Sequence, residues 1–283
     1  MEFVEYLKAV LFGIVEGITE WLPISSTGHM ILLKELLPLK VSQEFWNMFE
    51  VVIQFGAILA VVVIFFKQIF PFKTKDKNSQ ETGLKAYVHM DIITLWLKII
   101  VACIPAAIVG VLFDELLEKY LYHYVVVAVA LIIFGIAFIV VENWNKTRKP
   151  EINSLAQLSY KTALIIGMFQ LLAAIFPCVS RSGATIVGAL MIGVSRTVAA
   201  EFTFFLAIPV MAGASLLKLV KFGLNFTSYE LIILTIGFVV AFVVSIIVIK
   251  FLLKFIKKHD FKVFGWYRIV LGLLVLLYYF VRV

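Results

Sequence analysis

The sequence predicts an all-α, polytopic membrane protein in which six transmembrane helices and two re-entrant helix hairpins form an inverted repeat. Three observations carry that expectation. Of 283 residues, 63% are hydrophobic and 15% charged, against about 45 to 50% and about 25% in soluble domains, and the mean hydropathy is +1.04. A water-soluble domain is thereby excluded. The apolar residues lie in runs such as Val51 to Phe66, Val125 to Val141 and Leu231 to Ile249, close to the ~20 residues a helix needs to cross ~30 Å of hydrocarbon. These runs are apolar on every face instead of alternating, which excludes a transmembrane barrel. Finally, two interrupted apolar segments resemble one another residue by residue.

Taken in order, residues 3–39 form the first hairpin. Phe3 to Leu22 nearly spans, but it carries Glu16 and Glu20, breaks at Pro23-Ile24-Ser25-Ser26-Thr27-Gly28, and leads only to a short apolar stretch ending at Leu39. Three spans follow, over 47–66, 93–113 and 123–141. Residues 162–193 repeat the hairpin: an apolar helix to Phe176, then Pro177-Cys178-Val179-Ser180-Arg181-Ser182-Gly183, then a second short apolar helix. Spans over 202–220, 230–253 and 264–281 complete the chain. Irregular backbone at membrane depth is tolerated only where it is buried in protein or lines a wet cavity, so both elbows are expected to face one.

The hairpins align with an offset of about 154 residues, Gly13-x-x-Glu16 and Pro23 matching Gly167-x-x-Gln170 and Pro177. Ser25-Ser26-Thr27-Gly28 then matches Ser180-Arg181-Ser182-Gly183 after one inserted residue. Glu50 and Glu201 each open the first full span of a half. The chain thus reads as one integral membrane domain, 1–283, with a first repeat over 1–141 and a second over 155–283. Each half holds one hairpin plus three spans. Three is odd, so the second half is inverted and the elbows approach from opposite faces.

A net charge of +7 and a pI near 9.3 could suggest nucleic acid, but the cations cluster between apolar runs, and no nucleic-acid partner is expected. Lys67, Lys73, Lys75, Lys77 and Lys85, then Lys146, Arg148 and Lys149, then Lys254, Lys257, Lys258 and Lys262 all fall on one side, which is the cytoplasm. The opposite loop around Asp114, Glu115 and Glu118 holds only Lys119. Both termini are then outside, and the first hairpin enters from the outer face. Glu2 and Glu5 precede Lys8 with no small-residue cleavage site, so no removable signal peptide is expected. Cys103 and Cys178 lie far apart in apolar stretches and offer neither a disulfide framework nor a CxxC metal site. Arg268, Trp46 and Trp96 are expected at membrane interfaces.

Ionisable groups at membrane depth each cost about 2.5 to 3.5 kcal/mol on insertion scales, so each needs a partner or a purpose. Glu16 and Glu20 share a helix face at i,i+4, where carboxylates repel unless one is protonated or a cation lies between them. A structural alternative has them pointing to headgroups, but the same turn leads into Ser25, Ser26, Thr27 and His29. In the second elbow, Arg181 sits among Ser180, Ser182, Thr185 and Gly183, and hydroxyls, backbone N–H groups and a five-donor cation together suit a phosphate. A bridge from Arg181 to Glu16 or Glu20 that merely holds the halves together is the competing role, and both can coexist. The combined set suits a phosphate ester or anhydride: Glu16 and Glu20 can hold a divalent cation, Arg181 can stabilise the transferring group, and a hydroxyl or water can attack. Ser26, His29 and metal-bound water all qualify as nucleophile. Ser26 is the first choice, with His29 three residues on to orient or deprotonate it. A substrate reaching such a depth is expected to be a lipid.

At these residues the chain resembles the bacterial undecaprenyl-diphosphate phosphatase family, also called the bacitracin resistance protein family. The resemblance rests on EGITEWLPISSTGHMILL, EVVIQFGAILAVVVIFF, GMFQLLAAIFPCVSRSGATIVGALMIGVSR and EFTFFLAIPVMAGAS, and it covers essentially the whole chain. The family's two signatures fall on Glu16, Glu20, Pro23, Ser25, Ser26, Gly28 and His29, and on Pro177, Ser180, Arg181, Ser182, Gly183 and Thr185. Cys178 departs from the pattern, since the family usually has glycine there. The resemblance implies hydrolysis of undecaprenyl diphosphate to the monophosphate and inorganic phosphate, dependence on Mg²⁺ or Ca²⁺, and a bacterial plasma-membrane location with the site open to the outer, periplasmic face. The expected partners are the polyprenyl diphosphate substrate and membrane lipids, and a homodimer is permitted without being required. Two rivals are a secondary transporter or lipid flippase, for which inverted repeats with broken helices are also typical, and a type-2 phosphatidic acid phosphatase. The second lacks its histidine six residues after Ser-Arg, where Val187 stands.

Overall fold

The computed structural model describes residues 2–74, 83–121, 124–223 and 225–282. The chain forms α1 (Glu2–Thr19), α2 (Ser26–Leu36), α3 (Gln43–Ile64), the single turn α4 (Phe66–Ile69), α5 (Met90–Leu121), α6 (Tyr124–Asn145), α7 (Tyr160–Ile175), α8 (Arg181–Met191), α9 (Arg196–Phe222), α10 (Ser228–Ile256) and α11 (Lys262–Arg282). Among the described residues, extended pairing is confined to the isolated bridges Phe72–Val88 and Ile152–Val194. Among the described residues six helices, α3, α5, α6, α9, α10 and α11, are long and apolar enough to cross a membrane. Large apolar side chains such as Val63, Leu97, Ile133, Leu217, Val239 and Leu274 stand exposed along them, as lipid-facing surface requires. The protein is an all-α, polytopic membrane protein.

Helix starts lie upstream of the apolar runs because polar residues cap them. Ser42 accepts from Phe45 N at 3.1 Å ahead of α3, Ser159 from Thr162 N at 3.0 Å ahead of α7, and Thr227 with Glu230 forms a capping box ahead of α10. Glu50 and Glu201 consequently stand inside α3 and α9 and do not open them. At the other end, α5 continues to Leu121, so the acidic stretch 114–118 is helical instead of a loop. Lys75 and Lys77 lie outside the described residues.

Helix α1 packs on α10 and α7 on α5, while α3 meets both α9 and α10, and α6 meets α11. Exchanging α1 with α7, α3 with α9, α5 with α10 and α6 with α11 maps the first, second and last of these pairings onto one another or onto themselves. Glycine explains two of the close crossings. A Cβ on Gly13 would lie 2.7 Å from Gly237 O, and one on Gly167 only 2.2 Å from Ala102 O, so neither helix could approach as closely with a side chain there.

The main core gathers Trp21 of the first elbow, Ile186 and Val187 of α8, and Phe202, Phe204 and Phe205 of α9. Trp21 meets Phe204 edge-on at 5.1 Å. Trp46 is buried, at 4% exposure, edge-on to Phe12 at 4.9 Å, and Trp96 donates its indole N–H to Ile69 O at 2.7 Å. Both stand near the starts of their helices, with rings held by aromatic and backbone partners.

Candidate active site

The two elbows, residues 20–25 and 176–180, are built alike. Ser25 and Ser180 cap α2 and α8 with φ of 78° and 69°, a left-handed conformation that costs a non-glycine residue roughly 1 kcal/mol or more. Each hydroxyl accepts from the amide of a glycine three residues on, Gly28 N or Gly183 N, at 3.2 Å. The strained caps turn the first helical residue, Ser26 in one half and Arg181 in the other, into the space between the elbows.

Glu20 joins them. Its Oε2 accepts from Ser26 Oγ at 2.7 Å and its Oε1 from Arg181 Nη2 at 2.7 Å, while its backbone carbonyl accepts from Ser182 Oγ at 3.3 Å. Arg181 also reaches Thr203 O through Nη1 at 3.4 Å. Thr185 braces this turn, donating to Arg181 O at 2.8 Å and pairing with Thr203 Oγ1 at 2.8 Å. Ser180 and Ser182 hydroxyls lie 3.1 Å apart, and Thr27 stands half-buried on the first turn of α2. The geometry thus brings together Glu20, Ser26 and Arg181 directly, with Ser25, Ser180, Ser182, Gly183 and Thr185 supporting them.

His29 is turned elsewhere. Its Nδ1 lies 2.6 Å from Ser25 O, and because a carbonyl only accepts, Nδ1 carries the hydrogen. Its Nε2 lies 2.7 Å from Tyr267 OH, and the two rings stack at 5.7 Å. Ser26, at the first position of α2, points back toward Glu20, so the residue three positions on does not reach it. Glu20 holds the proton acceptor's place that the sequence spacing suggested for His29.

Glu16, on α1, is fully buried with no N–H or hydroxyl donor on either oxygen; its carboxyl lies against that of Glu20 and within electrostatic range of Glu50 and Arg181. Its repeat counterpart Gln170, at 2% exposure, is likewise buried, beside the Cys103 thiol. Buried polar groups without partners are uncommon and call for an explanation. Among the described residues no cluster of three or more His, Cys, Asp or Glu is disposed to hold a metal ion. A magnesium-type site, however, needs only one or two carboxylates when substrate phosphates complete the shell. The carboxylate of Glu16, which no N–H or hydroxyl engages, fits that demand better than Glu20, whose two oxygens accept from Ser26 and Arg181.

Thr203, Tyr267 and Arg268 are not among the site residues read from the sequence. Arg268, expected as an interface residue, is fully buried. It donates from Nη1 to Pro23 O at 3.3 Å, and from Nη2 to Cys178 O at 3.0 Å and Val179 O at 2.8 Å, fastening both elbows to α11. Arg268→Leu leaves these buried carbonyls unpaired and is expected to cost about 3 to 5 kcal/mol. A melting temperature within 2 °C of wild type would remove it from this role.

Cys178 explains the departure noted in the sequence. It holds φ of 60°, where glycine is unstrained. Cys178→Gly relieves roughly 1 kcal/mol of left-handed strain but forfeits a buried thiol of similar worth and adds unfolded-state entropy. The expected change is within about 1 kcal/mol. Cys178→Val, which adds a β-branch at this angle, is expected to destabilise by about 2 kcal/mol or more. Thermal melts of the two variants check the ordering.

Residues 9–274 match the family model described as bacitracin resistance protein BacA. A protein of Desulfitobacterium hafniense named undecaprenyl-diphosphatase is 62% identical over 282 residues, covering 100% of this chain and 99% of its own. One from Enterococcus faecalis with the same name is 60% identical over 277 residues, 98% of each chain, and undecaprenyl-diphosphatase 1 of Clostridium acetobutylicum is 59% identical over 281 residues, 99% of this chain and 100% of its own. With the family's motif residues converging at the elbows and the match running nearly end to end, the chain belongs to the bacitracin resistance protein BacA family.

Proposed function

We propose that this protein hydrolyses undecaprenyl diphosphate to undecaprenyl phosphate and inorganic phosphate in the bacterial plasma membrane, with the elbows as its active centre. The observation that carries the reading is the Glu20 carboxylate, held between a serine hydroxyl from one hairpin and an arginine from the other. Whole-length relatives that bear the name undecaprenyl-diphosphatase support the substrate.

In this reading Ser26 Oγ attacks the terminal phosphorus and Glu20 takes its proton. The bridging P–O bond breaks, undecaprenyl phosphate leaves, and a Ser26–O–P bond is formed. Water then attacks the same phosphorus, Ser26 recovers its proton, and phosphate departs. Arg181 faces the negative charge of the transferring group, and the Ser180, Ser182 and Gly183 turn offers further donors. His29 and Tyr267 hold the carbonyl of Ser25 and thereby the strained cap. Glu16, with Glu20 beside it, would hold a divalent cation, which when bound supplies charge neutralisation at the phosphoryl oxygens.

The remaining features fit an inverted repeat over 1–141 and 155–283, with the basic segments at 67–85, 146–149 and 254–262 on the cytoplasmic side and the site open to the periplasm. The paired helix contacts and the matching elbows support the repeat, and the lysines and arginines between the spans support the orientation. A transporter built on the same plan would release no phosphate. The test is phosphate release by the detergent-purified protein given undecaprenyl diphosphate, before and after chelation. Turnover is expected to fall at least about 10-fold on chelation and to return with Mg²⁺ or Ca²⁺. No phosphate release at all overturns the hydrolase reading, and full turnover in chelator overturns only the cation.

A further inference from the structure

The C-terminal end of α8 lines a cavity of about 760 Å³, within the ~300 to 1,000 Å³ usual for ligand pockets. It is distinct from the elbows: Arg181 begins α8, Leu190 and Met191 end it, and the 11-residue helix sets the two sites roughly 15 Å apart. The end of α6, the segment after it, the start of α9 and the end of α10 supply the other walls.

The walls are fastened. Glu151 N and Ile152 N both donate to Gly193 O, at 2.9 and 3.1 Å, and Ser195 N donates to Ile152 O at 2.9 Å. Asn145 Nδ2 holds Leu190 O at 3.0 Å. The cavity therefore keeps its shape through backbone pairing instead of depending on loop side chains.

Its charge is unbalanced. Arg148, Lys149, Arg196 and Lys257 line it against Glu142 and Glu151. Glu142 is consumed within the wall: it accepts twice from Arg196 Nε, at 2.9 and 3.2 Å, once from Arg196 Nη2 at 2.5 Å, and once from Phe261 N at 2.9 Å. That leaves Arg148, Lys149 and Lys257 facing Glu151, with Glu201 also within electrostatic range of Lys257. The Arg148 guanidinium lies 3.9 Å over the Trp144 ring, which orients its N–H edge. The hydroxyl of Ser195 makes no cap bond to the first turn of α9, so polar donors add to the cations.

We infer that this cavity binds a phosphate oxyanion, carried either by the headgroup of an anionic phospholipid or by soluble phosphate. Phosphate matches what the walls offer, a planar arginine fork, two lysine point charges and a serine hydroxyl around one cavity that is partly open to its surroundings, with Arg148, Lys149 and Lys257 exposed. The inference does not depend on the chemistry at the elbows.

The test compares melting temperatures of the wild type with those of Lys149→Ala, Lys257→Ala. One arm uses nanodiscs of phosphatidylcholine with and without phosphatidylglycerol, and the other uses detergent with sodium phosphate against sodium chloride at matched ionic strength. A rise of at least 3 °C in wild type, at least halved in the double variant, supports the site, and the arm in which it occurs identifies the source. The variant's turnover is expected to stay within 2-fold of wild type. Three results would overturn the inference: no rise in either arm, an undiminished rise in the double variant, which assigns the anion to the elbows, or an equal loss in Lys250→Ala, Lys254→Ala. The last pair removes the same charge from exposed positions of α10 outside the cavity and would reveal diffuse attraction only.

Discussion

Ser26→Ala is expected to lower kcat by about 10³-fold or more, Glu20→Gln by about 10²- to 10⁴-fold, and the double variant by little more than the worse single one. The reason is the 2.7 Å hydrogen bond between Ser26 Oγ and Glu20 Oε2: a nucleophile and its proton acceptor act as one unit, so the second removal takes away what the first already disabled. Glutamine keeps the size of Glu20 but cannot take a proton at this position. The measurement is kcat and KM for phosphate release by the three purified variants, together with mass spectrometry for a phosphorylated Ser26 in acid-quenched wild type. Fully additive losses would sever the pair. Near-normal turnover by Ser26→Ala would pass the attack to water or His29, although both ring nitrogens of His29 already lie within hydrogen-bond distance of other groups.

Arg181→Lys is expected to fold and melt within a few degrees of wild type, yet to lose at least about 100-fold in kcat/KM. The lysine can still meet Glu20, which Arg181 contacts through one nitrogen at 2.7 Å. It loses the fork whose remaining N–H groups suit a diphosphate. Arg181→Ala is different. It leaves the Glu20 carboxylate, at 7% exposure, without its cation, and breaking a buried pair in this way costs about 3 to 5 kcal/mol. A large drop in melting temperature should therefore accompany its loss of turnover. Activity and melting temperature on the same samples decide the matter: a lysine variant with near wild-type turnover reduces Arg181 to a bridge between the hairpins.

Much of the architecture was legible because a bilayer imposes length and composition on whatever crosses it. Runs around 47–66, 123–141 and 230–253 announce α3, α6 and α10 by hydropathy alone. Their ends were less legible, since serine and threonine caps lie outside an apolar run, and since Asp114, Glu115 and Glu118 are as compatible with a helix as with a loop. The elbows stood out for the opposite reason: proline, serines and charges at membrane depth violate the surrounding pattern, and they did so twice in matching order.

The sequence by itself determined the fold class, the two elbows, and Glu16, Glu20 and Arg181 as candidates there, because burial in hydrocarbon leaves few explanations for them. Only the tertiary structure decided who touches whom. Side-chain direction from a strained cap sends Ser26 to Glu20, six residues back, instead of to His29, three residues on. Arg268 reaches Pro23 from the last helix, and the cavity at the far end of α8 draws its walls from three separate stretches of the chain. Hydropathy and spacing are properties of neighbours along the chain, whereas these contacts join residues far apart in sequence and arise only when the helices have packed.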